Sequence, residues 1–399
     1  MRLPLIPLFV ALLINIVVDT YIYMALRRRL RSVWPSKVQL WSAVALFVMI
    51  VVVICYPKRN CSNEMLRAMM WMLYTYIAFY LPKYLFVIID LVARIPQLFR
   101  HRRLGWLSAT GAVAAVVLFG TLWWGALINR FNIDVKEVTV EIEGLPDGFD
   151  GYTIAQFSDM HVGTFGNDTA FVSRFVDSIN SLNPDLIVFT GDIVNSKTEE
   201  LLPHVKPFSR LKAPGGVYSI LGNHDYGDYS EWPSAEAKSA NLNLLKKLQE
   251  DMGWRLLLNE TAILRQDSDS IALIGVENIG DPPFKVYGSL TRAYPDLSDG
   301  TTKILLTHNP AHWTDSIAGH RSVRVPLSLS GHTHAMQVEV LGWSPAAYRY
   351  PTWGGLYSDS EKKHQLYVNI GGGTVGFPAR VGATPEITLI TLKKVKPDL

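Results

Sequence analysis

The chain has 399 residues, 49% hydrophobic, 11% aromatic and only 18% charged, with a positive mean hydropathy, which excludes disorder, collagen and a small disulfide scaffold. Its 38 basic and 35 acidic residues leave a net charge of +3, too balanced for a nucleic-acid surface, so no nucleic-acid partner is expected. An ordinary cytosolic enzyme is disfavoured too, because the charges are distributed so unevenly along the chain.

Pro4–Met24 is an apolar run whose only formal charge is Asp19, and as a helix it would be about 30 Å long, the thickness of a bilayer core. Val38–Tyr56, Ala68–Ile89 (interrupted by Pro82 and Lys83) and the uncharged Trp106–Ile128 follow. Buried helices of soluble proteins seldom stay apolar past about 18 residues, so residues 1–130 are expected to form a transmembrane domain with four helices. Arg2 ahead of the first run invites a signal-peptide reading, but the run ends in Arg27, Arg28, Arg29 and Arg31 without a small-x-small cleavage site, so it is expected to stay.

The first loop carries those arginines and Lys37, the third carries Arg94, Arg100, Arg102 and Arg103, and the second has only Lys58 and Arg59. The positive-inside rule then makes loops one and three cytoplasmic. The expected protein is multi-pass in the inner (plasma) membrane, with its N-terminus and everything after Ile128 outside the cytoplasm. Cys55 and Cys61 bracket the second loop on that oxidising side, where a local disulfide and two unrelated thiols are both open readings. Asp19 and Lys83 lie at the same depth from the outer ends of their spans, and a charge inside a membrane needs a partner, so the two are expected to pair.

From about Asn132 charged and turn residues become frequent, and short β-branched runs alternate with amphipathic stretches, an α/β texture. A short linker is placed near Asn129–Ile133, and residues 131–399 are expected to form a catalytic domain. Strands are expected at Ile154–Ser158, Leu186–Thr190, Val217–Leu221, Ile271–Val276, Ile304–Thr307, Leu327–Ser330 and Ile387–Leu392, and helices at Phe171–Ser181 and Ala237–Met252.

Five motifs close such apolar runs: Ser158-Asp159-Met160-His161, Gly191-Asp192, Gly222-Asn223-His224-Asp225, Thr307-His308-Asn309 and Gly331-His332-Thr333-His334. Each alone is ordinary, since Asp-x-His is frequent and Gly-Asp is a common turn. Together they place carboxylate, amide and imidazole donors after successive strands, where ligands gather in open α/β sheets, so the five loops should converge on one crevice. Such donors without thiolate suit Mn²⁺, Fe or Zn²⁺ and argue against a structural Cys-zinc site.

In this order the residues resemble the calcineurin-like metallophosphoesterases, whose pattern is D-x-H, GD, GNH[DE], a lone H and GH-x-H, over about Val138 to Leu392. The contexts Gly331–Gln337, Tyr348-Arg349-Tyr350-Pro351 and Val368–Gly373 are similar to the membrane-attached bacterial branch, which includes hydrolases of UDP-diacylglucosamine. The resemblance implies a β-sandwich flanked by helices and two divalent metal ions, with Mn the first choice. It implies one metal on Asp159, His161 and His334, a second on Asn223, His308 and His332, and Asp192 bridging them. A hydroxide held between the cations would attack phosphorus in line. His224 would be the general acid toward the leaving oxygen. Asp225 would hold His224 protonated and oriented, or else cap a loop.

Other residues carry weaker readings. His204, His312, His320 and His364 are expected at the surface or as caps. Arg349 and Arg380 are open to a phosphate-receiving role or an ordinary ion pair. Gly371-Gly372-Gly373 suits a crevice wall or a tight connection. Trp343, Tyr348, Tyr350, Trp353 and Tyr357 would contact the bilayer surface or pack a loop over the site. The leading expectation is a membrane phosphohydrolase partnered with the lipid bilayer and a phosphorylated, lipid-linked substrate. The alternatives are hydrolysis of a UDP-linked acylated sugar at its pyrophosphate, and a membrane receptor or transporter with a phosphoesterase-derived binding module.

Overall fold

The computed structural model describes residues 5–56, 61–282 and 285–395; Pro4, Lys58 and Arg59, used above for the first span and the second loop, lie outside them. The chain divides into two compact units, Met1–Leu127 together with Gly376–Ala379, and Ile128–Val375 together with Arg380–Leu399.

The first unit holds helices α1 (Leu5–Arg29), α2 (Trp34–Cys55), α3 (Asn63–Leu98) and α4 (Gly105–Leu127). All four are long and apolar enough to cross a membrane. In hydrocarbon every backbone N–H and C=O must be satisfied within the segment, so apolar runs of this length become helices whatever their local propensity. Pro35 opens α2, where its missing N–H is harmless, and the Ser62 hydroxyl caps α3 by accepting from Met65 N at 3.3 Å. Hydropathy underestimates α3, because the helix continues past Ile89 through Asp90 and Arg94 to Leu98.

Lys83 Nζ lies 2.7 Å from Asp19 Oδ1, and Tyr80 and Gln39 also donate to that carboxylate, at 2.7 and 2.8 Å. A second carboxylate, Asp90, is fully buried and receives the Tyr21 hydroxyl at 2.5 Å, Arg94 at 3.0 Å and Arg103, with Arg29 at 3.4 Å. Hydropathy missed this node because Asp90 sits just past the apolar run.

The second unit has twelve strands: β1 (Asp134–Ile142), β2 (Thr153–Phe157), β3 (Leu186–Phe189), β4 (Val217–Ser219), β5 (Trp254–Leu256), β6 (Glu260–Gln266), β7 (Asp269–Gly275), β8 (Lys303–Leu306), β9 (Leu327–Ser330), β10 (Gly355–Ser358), β11 (Gln365–Val368) and β12 (Glu386–Lys394). They form two six-stranded sheets, ordered β1-β12-β2-β3-β4-β5 and β10-β11-β9-β8-β7-β6. Neighbours from β2 to β5 are parallel, as are β7-β8, β8-β9 and β9-β11. The architecture is a β-sandwich flanked by helices.

The side-chain period of two explains the layering. In β3, Leu186 and Val188 meet Ile304, Leu306, Leu327 and Leu329 of the other sheet in the sandwich core, while Ile187 and Phe189 face Phe175 and Val176 of α5 (Ala170–Ser181) and Leu245 of the helix Ala235–Asp251. Both faces are buried, so such strands read as continuous apolar runs and were legible. β1 was not, because it is a sheet edge whose sequence DVKEVTVEI buries only Val140 and Ile142. The linker expected near Asn129–Ile133 is instead packed: Asn129 and Arg130 are buried, and Asn129 Nδ2 donates to Arg380 O at 3.0 Å.

Glu386, the first residue of β12, is buried and accepts from Thr388 Oγ1 at 2.7 Å and the Tyr367 hydroxyl at 2.9 Å. Burial pushes its carboxyl up to about 7 against those hydrogen bonds. The unfolded chain ionises a glutamate near about 4.3, so the folded state holds the extra proton between the two values. Its contribution to stability is complete below about pH 4 and is lost as pH rises to about 7, roughly 3 kcal/mol in all. Thermal melting of the full chain should therefore fall between pH 5 and 7.5, and Glu386→Gln should make that fall smaller by about 5–10 °C; equal slopes in both proteins would contradict it.

Candidate metal centre

Each motif begins where a buried strand ends, and the backbone there turns sharply. Asp159, His161, Asp192, His332 and His334 all adopt the left-handed conformation, with φ of 52°, 40°, 63°, 75° and 52°. That conformation costs about 1–2 kcal/mol for a side chain bearing Cβ, and it persists because surrounding hydrogen bonds fix it. Asp159 N donates to Gly191 O at 2.9 Å, Gly331 N to His308 O at 2.9 Å and Gly373 N to Asp159 O at 2.8 Å, lacing the turns of both sheets together.

Two motif glycines are required by crowding. A Cβ on Gly331 would lie 1.9 Å from Ser158 Oγ and 2.3 Å from Asp159 Oδ2, and one on Gly222 would lie 2.2 Å from Asp192 Oδ1. The Gly371-Gly372-Gly373 run is a tight connection against Asp159 and Met160.

The turns bring two donor groups together. Asp159, His161, Asp192 and His334 form one, and Asp192, His308 and His332 the other, each with its candidate ligand atoms within 4.8 Å of one another. Asp192 belongs to both. In the first group His334 Nε2 lies 3.1 Å from Asp159 Oδ1 and 3.0 Å from His161 Nε2, and His161 Nε2 lies 3.6 Å from Asp192 Oδ2. In the second, His308 Nε2 lies 3.2 Å from Asp192 Oδ2, 3.2 Å from Asn223 Oδ1 and 3.3 Å from His332 Nδ1. Behind the donors, His161 Nδ1 faces Val194 O at 3.1 Å and His308 Nδ1 faces Thr190 O at 2.7 Å. A carbonyl only accepts, so these nitrogens carry the protons and both Nε2 atoms are free to ligate.

The electrostatics follow from this crowding. Burial opposes ionisation of Asp159 and Asp192, yet the adjacent imidazoles, His334 and His308 respectively, outweigh it and hold both carboxyls well below the usual range. Burial pushes His332 down to about 3 and takes His161 well below the usual imidazole range, and neighbouring histidines add to both effects. His308 is raised to about 9, the Asp192 charge overcoming burial. Ionised carboxylates beside neutral His161 and His332 are in the states that donate to a cation, whereas His308 would give up its proton on binding one.

The residues fit a divalent-cation centre on two counts. Asp159 Oδ1 is buried and makes no well-formed hydrogen bond although His334 Nε2 is 3.1 Å away, and imidazole nitrogens face one another at 3.0 Å (His161 with His334) and 3.3 Å (His308 with His332), an arrangement a cation satisfies better than protons do.

His224 stands outside both groups. Its backbone N donates to Asp192 Oδ1 at 2.8 Å, its Nδ1 meets Asn195 O at 2.6 Å, and its ring stacks on Tyr229 at 4.3 Å. Of the two readings open for Asp225, its contacts are those of the loop bond. Asp225 accepts from the backbone of Gly222 and Asp192 at 2.9 Å each and from Ile193 at 3.0 Å, so it pins the metal-side loops. Burial and the Asp192 charge raise its carboxyl to about 7 against those N–H donors.

Arg380 is fully buried with its guanidinium donating to Gly373, Ile370 and Ala383 carbonyls, and Arg349 pairs with Asp281, so neither guanidinium is placed to receive phosphate. His204, His312 and His364 are buried rather than superficial, each bonded at 2.6–2.9 Å (to Gly166 O, Thr307 Oγ1 and Asp359 Oδ2) and absent from both donor groups. Of the aromatic group, Tyr350 reaches the centre, its hydroxyl 2.9 Å from His332 Nε2. Asn195 and Tyr229 were missed: a backbone carbonyl carries no sequence signal, and Tyr229 offered only its closeness to Asn223.

Residues 1–130 match the family model "Probable Calcineurin-like phosphoesterase, transmembrane domain", and residues 152–336 match "Calcineurin-like phosphoesterase". An uncharacterized metallophosphoesterase, YkuE of Bacillus subtilis (strain 168), is 33% identical over 293 residues, covering 71% of this chain and 94% of that protein. A transmembrane protein with metallophosphoesterase domain of Bos taurus is 32% identical over 269 residues, 65% of this chain but 57% of that one. The UDP-2,3-diacylglucosamine pyrophosphatase LpxG of Chlamydia trachomatis (serovar D) is 30% identical over 334 residues, covering 71% of this chain and 95% of LpxG.

Proposed function

Because the chain belongs to the calcineurin-like metallophosphoesterases and its first 130 residues match a transmembrane domain model, we propose that it hydrolyses lipid-linked phosphate esters outside the cytoplasm using two divalent cations. The observation that carries this reading is one carboxylate, Asp192, common to two buried donor groups with a histidine, His224, poised beside both and belonging to neither.

Asp159, His161 and His334 would hold one cation and Asn223, His308 and His332 the other, with Mn²⁺ preferred and Fe or Zn²⁺ compatible with the same donors. When bound, such a pair activates water and neutralises charge on phosphoryl oxygens. Asp192 fixes the spacing of the donor groups and, by accepting the His224 backbone N–H, the place of that residue. The Asn195 carbonyl keeps a proton on His224 Nδ1 and Tyr229 fixes the ring plane, so Nε2 is the atom that gives a proton to the departing oxygen.

The side of the membrane rests on the charge asymmetry of the loops, and the lipid-linked substrate on the tether, which raises the local concentration of membrane esters. A second reading, a UDP-linked acylated sugar cleaved at its pyrophosphate, is favoured by the LpxG likeness over 95% of that protein. That substrate is made in the cytoplasm, so sidedness separates the two. A C-terminal alkaline phosphatase fusion should be active, and EDTA-stripped full chain resupplied with Mn²⁺ should cleave a lipid-linked phosphate ester in mixed micelles. An inactive fusion, with turnover of the UDP-sugar alone, would select the second reading. Absence of metal-dependent turnover on both would count against a hydrolase.

A further inference from the structure

We propose that the segment Val340–Tyr348, which leaves the metal centre just after His334, seats in the headgroup region of the bilayer and holds the cleft at the membrane surface. The nine residues VLGWSPAAY carry no charge and lie between Glu339 and Arg349. Val340, Leu341, Trp343 and Tyr348 are all exposed, Leu341 completely and Tyr348 to 88%.

The tip is rigid. Val340 and Trp343 exchange backbone hydrogen bonds at 2.8 and 3.1 Å across a tight turn, and Trp343 packs edge-on against Tyr348 with ring centres 5.7 Å apart. The central turn residues, Leu341 and Gly342, have φ of 53° and 77°, the positive pair of a type I′ turn, a place that favours Asn, Asp or Gly. A leucine there is unfavourable twice over, in backbone conformation and in its exposure to water, and the second penalty disappears in a lipid interface. Trp and Tyr beside it are the side chains that prefer that interface.

The chain's own connectivity argues for a bilayer as the occupant. Val338 bridges Val381, with Glu339 N to Val381 O and Val381 N to Gln337 O both at 2.8 Å. Val381 follows two residues after Gly376–Ala379, the segment that groups with the membrane helices. Within that helical unit Phe377 stacks on Tyr74 of α3 at 6.3 Å. The apolar tip is therefore tied by main-chain hydrogen bonds to a strand of chain continuous with the membrane part. Only the consequence for substrate, that a lipid ester enters the cleft from the bilayer, rests on the function proposed above.

The test places an environment-sensitive nitrobenzoxadiazole label on Leu341→Cys in the full chain with Cys55→Ser and Cys61→Ser, reconstituted in phosphatidylcholine nanodiscs. An Asp267→Cys label at the exposed β6–β7 turn serves as control. At position 341 emission should shift to the blue and be quenched at least two-fold more by doxyl-labelled lipid than at 267, with iodide showing the reverse. Equal, water-like behaviour at both positions overturns the docking, whatever substrate the enzyme takes. In parallel, Leu341→Asp and Trp343→Asp should lower turnover of a bilayer-resident phosphodiester about ten-fold and leave a water-soluble aryl phosphodiester unchanged. An equal loss on both esters would make the segment a structural support and overturn the proposal as well.

Discussion

Asp192→Ala should lose roughly 10³-fold or more in kcat/KM on every phosphate ester, and bound metal should fall from two ions per chain to one or none. Asp192 is the one side chain common to both donor groups, and it lies within 3.2 Å of His308 Nε2 and 3.6 Å of His161 Nε2. Removing it would leave the imidazoles of both groups without the anion that would offset repulsion between two cations held there. It also removes the acceptor for the His224 backbone N–H. Asp192→Asn separates these duties, because an amide oxygen still accepts that N–H but carries no charge. It should keep the thermal stability of the parent protein and still lose most metal and activity. Elemental analysis of the purified full chain, with activity on a generic aryl ester, reads both. An Asp192→Ala protein within about ten-fold of wild type and holding two metals would remove the binuclear assignment.

Which parts of this arrangement could be read from the sequence depended on where the chemistry resides. The five motifs were legible because each follows a strand buried on both faces, as β3 does with Leu186 and Val188 toward one core and Ile187 and Phe189 toward the other. The glycines in those motifs were legible as motif letters only; that Gly331 makes room for Ser158 and Asp159 needed coordinates. Asp225 stayed ambiguous because an acidic residue next to a histidine suits a side-chain pair as well as a loop bond, and only the coordinates show its oxygens pointing back to the N–H groups of Gly222, Asp192 and Ile193. The partner that does hold His224, the Asn195 carbonyl, is main chain and leaves no compositional trace. Edge strand β1 buries only Val140 and Ile142 and opens on the polar Asp134, Lys136 and Glu137, so it did not stand out, and Asp90 fell just beyond an apolar window although it is fully buried and gathers Tyr21, Arg94 and Arg103.

His224→Gln should keep both metals yet lose roughly 10²- to 10³-fold on esters with alkoxide-like leaving groups and far less on a nitrophenyl ester. The reason lies in what the ring touches. It belongs to neither donor group, so its loss leaves ligation intact, while its Nδ1 is committed to Asn195 O at 2.6 Å and only Nε2 can meet the substrate. A proton delivered there matters in proportion to the basicity of the departing oxygen: an alkoxide leaves poorly without it, and a nitrophenolate leaves without help. The dependence of rate on leaving-group pKa should therefore steepen in the variant. Against this stands the alternative that His224 merely packs between Tyr229 and His161, whose rings lie 4.3 and 4.8 Å away. Packing alone predicts the same fractional loss on all leaving groups, so one series of esters assayed with wild type and His224→Gln decides between a proton donor and a spacer.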